Sequence, residues 1–236
     1  SSEILLVATN LKILFFVFFA TILAYNFQRI VRLKKGHNHT YKNWLDKNIK
    51  LIYCLIFFTT IASVYFFLVF QRDTQIAILF TAILCFFYPF GIREIPFLKI
   101  FIISFVWTVS TMFLLVLENN IVISQNIIWQ VVSRFLFVFA ITMPFDIRDL
   151  NYDSKKVITI PIFFGVIRSK IIAVFALFIC GVISFFQYLE MYLDLPNLLA
   201  LILLYILASI FIKKSDERNA KTYFSFWVES LSVFSY

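Results

Sequence analysis

The chain has 236 residues, of which 62% are hydrophobic, 20% aromatic and 14% charged, with 32 Phe, a mean hydropathy of +0.92 and a net charge of +8. Soluble globular domains are about half apolar and a quarter charged, so this composition excludes them and marks an integral membrane protein. The basic excess lies in short connections between apolar runs, where anionic lipid headgroups are its partner and no nucleic acid is expected.

Unpaired backbone groups are too costly in hydrocarbon, so spanning elements are helices or a closed barrel, and runs of about 20 apolar residues mean helices. The alternating ten-residue pattern of a barrel is absent. Hydropathy predicts eight helical segments in chain order, at 4–27, 49–70, 75–90, 97–117, 127–145, 167–187, 195–212 and a clipped 222–236. No Gly/Ser linker or low-complexity tract divides them, so residues 1–236 read as a single all-α, polytopic transmembrane domain. The chain starts without Met, shows no cleavable signal peptide and stops inside an apolar pattern, and the natural protein is expected to extend beyond both ends. Cys54, Cys85 and Cys180 fall within apolar segments without pairing or metal spacing and read as small buried hydrophobes.

Lys and Arg accumulate on cytoplasmic loops. Alternate connections carry seven (from Arg29 to Lys50), two (Arg93, Lys99), five (from Arg148 to Lys170) and four (from Lys213 to Lys221), which is 18 of the 21 basic residues. The intervening connections hold only Arg72, while Lys12 and Arg134 fall within apolar segments. The odd-numbered connections are therefore expected to face the cytoplasm, in a multi-pass protein of the cell's inner membrane.

One cytoplasmic connection begins FDIRDLNYDSKKVITIPIFFG, residues 145–165. On a helix, Asp146, Asp149 and Asp153 fall within about 60° of one another, and like charges so close repel. A hard divalent cation such as Mg²⁺ resolves that repulsion while keeping positions open for phosphate oxygens. The alternative is a solvated helix end whose acids are neutralised by Arg148, Lys155 and Lys156.

The string Asp146-x-x-Asp149-x-x-x-Asp153, followed by Thr159-Ile160-Pro161 and Phe164-Gly165, resembles the second Asp-rich motif of the UbiA superfamily of intramembrane prenyltransferases. Tyr88-Pro89 with Arg93 and Lys99 beyond it is similar to a second, looser family pattern. The resemblance implies a UbiA-type bundle of nine helices, of which eight are seen here. It also implies an enzyme: Asp146, Asp149 and Asp153 would act as metal-binding catalytic residues for Mg²⁺. The metal would grip a prenyl diphosphate whose isoprenyl chain passes to a lipophilic acceptor.

The family's first motif, N-D-x-x-D-x-x-x-D, should end the first segment. Of it, Asn26 alone fits, because Phe27, Ile30 and Lys34 replace the three acids. Two alternatives follow. Either Arg29, Arg32, Lys34 and Lys35 hold diphosphate in place of one metal ion, or the chain has lost catalysis and binds an isoprenoid lipid or quinone. On the first alternative Asn26, Arg29, Lys34, Arg93, Lys99 and Thr159 are the candidate substrate contacts. A small transporter fits less well, since the midplane carries few charges and no paired broken helices. Acceptor, donor chain length and oligomeric state are not set by these motifs.

Arg134 is an intramembrane charge and so a functional candidate by default; a structural pair with Glu118 or a backbone carbonyl is expected. Lys12 snorkels. His37 and His39 do not have zinc spacing and read as loop residues. Trp44, Trp107, Trp129 and Trp227 read as interface anchors, and Gly165 as a turn.

Overall fold

The computed structural model describes residues 10–34, 47–150, 157–220 and 222–234. The described residues form helices joined by turns and short irregular stretches, with no strand among them. Seven helices are long and apolar enough to cross a membrane: α1 (Leu11–Lys34), α2 (Ile49–Val69), α3 (Arg72–Phe87), α4 (Leu98–Glu118), α5 (Gln125–Arg148), α7 (Val166–Leu189) and α8 (Leu195–Lys214), with a short α6 (Ile160–Phe164) after α5. The eighth expected segment is a π-helical stretch, Tyr223–Val228, followed by α-helical Glu229–Phe234. Those two stretches together rise only about 18 Å, short of the ~30 Å hydrocarbon core. Seven spans and a shorter eighth helical segment are therefore found among the described residues. Helix α1 runs on to Lys34, past the expected end at 27, because FQRIVRLK contains no helix breaker.

The surface is inverted relative to that of a soluble protein. In α2 the buried residues are Ile52, Thr59 and Ser63, whereas Phe57, Phe58, Tyr65 and Leu68 are exposed. Small residues permit close helix approach, and large apolar ones face a solvent as apolar as themselves. The buried Thr59 hydroxyl is satisfied locally, donating to Leu55 O at 2.7 Å. The same inversion corrects the expectation for the cysteines: Cys180 is buried, but Cys54 is exposed and Cys85 half-buried, since an apolar side chain on a spanning helix needs no protein core.

The described residues cluster into two compact units. One comprises 10–92 and 114–121. In it α1 packs on α2 through aromatic contacts, Phe16 edge-on to Phe70 at 5.4 Å and Phe15 stacked with Phe66 at 6.2 Å. Glu118 closes this unit's end by accepting the Gln71 backbone N–H at 3.1 Å.

The other unit comprises 93–113 and the chain from 122 onward. Its axis is α5, the most buried of the spans, whose residues Phe137–Ile141, Met143 and Ile147 form one core with Ala173, Ala176, Leu177 and Cys180 of α7 and Ala208 and Ile212 of α8. Alanine and cysteine on α7 and α8 let those helices approach α5 closely. Ser124 caps α5, its hydroxyl accepting the Ile127 N–H, and Pro144 removes one N–H from the ladder just before Asp146.

Candidate active site

The C-terminal end of α5 carries the sequence PFDIRD, and its two acids have different surroundings. Asp146 points into the protein: its side chain is 1% exposed and Oδ1 lies 2.7 Å from the Lys99 ammonium, itself buried on the first turn of α4. An ion pair taken this far out of water costs desolvation of both charges and repays it only through close contact, so losing either member leaves an uncompensated buried charge. Asp149, three residues on, is half-buried and held by its neighbour Arg148, whose Nε and Nη2 donate to the two carboxylate oxygens at 2.8 and 3.2 Å. The Arg148 guanidinium also lies over the rings of Phe145 and Phe224, 5.2 and 5.6 Å from their centroids, which ties the last helical stretch to this end of α5.

Lys99 owes its position to the turn before α4. Phe97 adopts a left-handed φ of 64°, rare for an aromatic residue, and its N–H donates to Ile158 O at 2.9 Å. Its ring packs against Phe163 at 5.4 Å and Phe164 at 6.2 Å. One residue therefore both starts the helix bearing Lys99 and anchors the loop that follows the acids; backbone strain of this kind persists where its surroundings over-determine it. On that loop Thr159 is 1% exposed, does not cap α6, and its hydroxyl makes no hydrogen bond among the described residues. Gly165 takes φ 81° between α6 and α7, and open space around it shows that the backbone angle, not crowding, demands glycine.

Of the residues singled out in the sequence, the structure thus brings Lys99 and Asp146 into contact. Arg93 lies half-buried in the turn Ile92–Glu94. Asp153 lies outside the described residues, as do His37, His39, Trp44 and Lys35. Asn26, Arg29 and Lys34 belong to the other unit, on α1. There Asn26 donates to Ile22 O of its own helix at 2.8 Å, and Arg29 and Lys34 are exposed. The positions where the family places acids do packing work: Phe27 stacks on Phe86 at 5.3 Å, and Ile30 is buried against Ile52. The solvated-helix-end alternative describes Asp149 with Arg148 but not Asp146.

The Arg134 Nε donates to the Thr111 hydroxyl at 3.2 Å, while Glu118 accepts from Gln71. Phe97 was not legible as a site residue, because nothing in the sequence marks a left-handed aromatic.

Among the described residues no three His, Cys, Asp or Glu side chains gather as a metal-holding group. In donor chemistry Asp146 and Asp149 fit a hard cation, since both offer carboxylate oxygens at i, i+3 of one helix. Lys99 and Arg148 supply the positive charge those oxygens meet here.

The model of the UbiA prenyltransferase family matches residues 50–229. A comparison with curated proteins found no match. The fold is similar to the apo structure of a UbiA homolog from Aeropyrum pernix K1, with a TM-score of 0.71 over 95% of this chain and 86% of that one at 10% identity, a likeness of fold alone. With the family model covering well over half of its length, the chain belongs to the UbiA prenyltransferase family.

Proposed function

We propose that the protein is a Mg²⁺-dependent intramembrane prenyltransferase that transfers an isoprenyl chain from a prenyl diphosphate to a lipophilic acceptor. The observation that carries this reading is the Lys99–Asp146 contact: a candidate diphosphate ligand and a candidate metal ligand, 47 positions apart in the chain, are buried together at one helix end. Asp146, Asp149 and Asp153 hold the metal, which when bound neutralises charge building on the departing diphosphate. Lys99 and Arg93 stand as the cations that bind phosphate oxygens, and the buried Thr159 hydroxyl as a further polar contact. Phe side chains exclude water from the allylic cation and offer it their ring faces. The distribution of Lys and Arg supports a cytoplasmic location for this end of α5 in the cell's inner membrane.

The test is pyrophosphate release from the purified full chain given prenyl diphosphate and a mixture of quinone-type and phenolic acceptors. Release that needs Mg²⁺ and is lost in Asp149→Asn supports the reading; no release from any donor and acceptor pair, in a protein that still binds the donor, refutes it. The packing roles of Phe27 and Ile30 favour a second reading, a catalytically silent homologue that holds an isoprenoid lipid. Donor binding that ignores a chelator is the outcome that selects it.

A further inference from the structure

Toward the opposite end of α5 lies a polar interior that the reaction above does not use. Asn126, Gln130, Ser133 and Arg134 follow one another at i, i+4, i+7 and i+8 and so share one face of α5. They meet Ser184 and Gln187 of α7 and Tyr205 of α8. Gln187 donates to the Asn126 side chain, and the Tyr205 hydroxyl lies 3.4 Å from both the Ser133 and the Ser184 hydroxyls. Between them is a cavity with about 50 Å³ of water-accessible space, lined by Gln130, Ser133, Arg134, Ser184, Gln187 and Tyr205 with apolar residues that include Met112 and Phe137.

Three features set the chemistry of this cavity. Arg134 is 9% exposed and, as a guanidinium, stays charged in any protein environment. Every other polar residue lining the cavity is neutral and carries at least one O–H or N–H, so the formal charge of its wall is the positive charge of Arg134. The third feature is backbone: α4 widens into a π-helical turn over Val109–Phe113, an arrangement frequent at functional sites. That turn supplies both Thr111, which orients the guanidinium at 3.2 Å, and Met112 of the cavity wall.

Size then selects the ligand. A pocket for a ring-bearing headgroup needs roughly 300 Å³ or more. One water needs about 10–15 Å³ of such space, so the volume here suits a halide with one or two waters. We propose that this cavity binds one small monovalent anion of halide size, held by the Arg134 guanidinium.

The test measures the melting midpoint of the purified full chain, without Mg²⁺ or diphosphate, as chloride replaces gluconate at constant ionic strength. A ligand bound to the folded state alone raises the midpoint saturably. We expect such a rise in the wild type. Arg134→Gln should abolish it, and Thr111→Val and Ser184→Ala, milder changes that serve if the first does not fold, should shift the required chloride at least about threefold. Crystals grown in bromide should show an anomalous peak in the cavity. A wild-type midpoint indifferent to chloride, a response unchanged in every folded variant, or bromide bound only elsewhere would each overturn the proposal.

Discussion

The end of α1 and the end of α5 are the two places where a UbiA chain is expected to present acids, and they have diverged in opposite directions. On α1 the sequence AYNFQRIVRLK gives a stacked Phe27, a buried Ile30 and exposed Arg29 and Lys34. On α5 the sequence PFDIRD keeps both acids, buries the first completely against Lys99 and clamps the second with Arg148. A carboxylate retained in an apolar interior costs several kcal/mol that a methyl group would not, whereas Phe and Ile at the α1 positions stabilise their surroundings. Function is therefore sought where folding alone would have removed the charge.

The largest effect should come from breaking the buried pair. Lys99→Ala leaves Asp146 charged and uncompensated, and we expect a loss of about 3–5 kcal/mol in unfolding free energy, followed by denaturation of the purified protein. The double substitution Lys99→Met, Asp146→Leu should recover most of that stability while remaining inactive, separating the pair's structural cost from its chemistry. Next in size, Asp149→Asn should lower the rate of pyrophosphate release about a hundredfold or more with little change in stability, because its carboxylate is partly solvated and, among the described residues, pairs with the adjacent Arg148.

The α1 end should respond in the opposite way. Ile30→Ala removes buried contacts with Ile52 and should cost about 2 kcal/mol, while pyrophosphate release per folded molecule stays within about twofold. A collapse of turnover in a stable Ile30→Ala protein would show that α1 retains a role in the chemistry.

The smallest effect concerns Glu229. Partial desolvation pushes its carboxyl above the ordinary range, with Arg148 pulling it partly back. The folded chain then holds this proton more tightly than the unfolded one, so stability falls as pH rises from the ordinary carboxylate value through the raised one. Glu229→Gln should flatten that part of the stability profile by a small margin, measured as melting midpoint against pH.

The membrane class and seven of the spans were legible because bilayer thickness and backbone satisfaction leave a strong imprint on composition and run length. The acids of α5 were legible because i, i+3 spacing is a local property of a helix. What joins Asp146 to Lys99 is a long-range packing contact, and it rests on a left-handed Phe97 that no propensity marks. Thr111 as a partner of Arg134 is not legible for a related reason: the π-helical turn that presents it changes which residues of α4 face α5, and hydropathy does not register that turn. The polar face Asn126, Gln130, Ser133, Arg134 was visible at helical spacing all along and could have identified the cavity.

The most direct measurement is metal binding at the acids of α5, using Mn²⁺ as a spectroscopic substitute for Mg²⁺ with inorganic pyrophosphate and then a prenyl diphosphate. We expect the purified full chain to bind Mn²⁺ in the presence of either diphosphate, and Asp149→Asn to lose that signal while remaining folded. Binding that persists unchanged in Asp149→Asn, or no binding by the wild type with either ligand, would contradict the assignment of this helix end as the metal and diphosphate site.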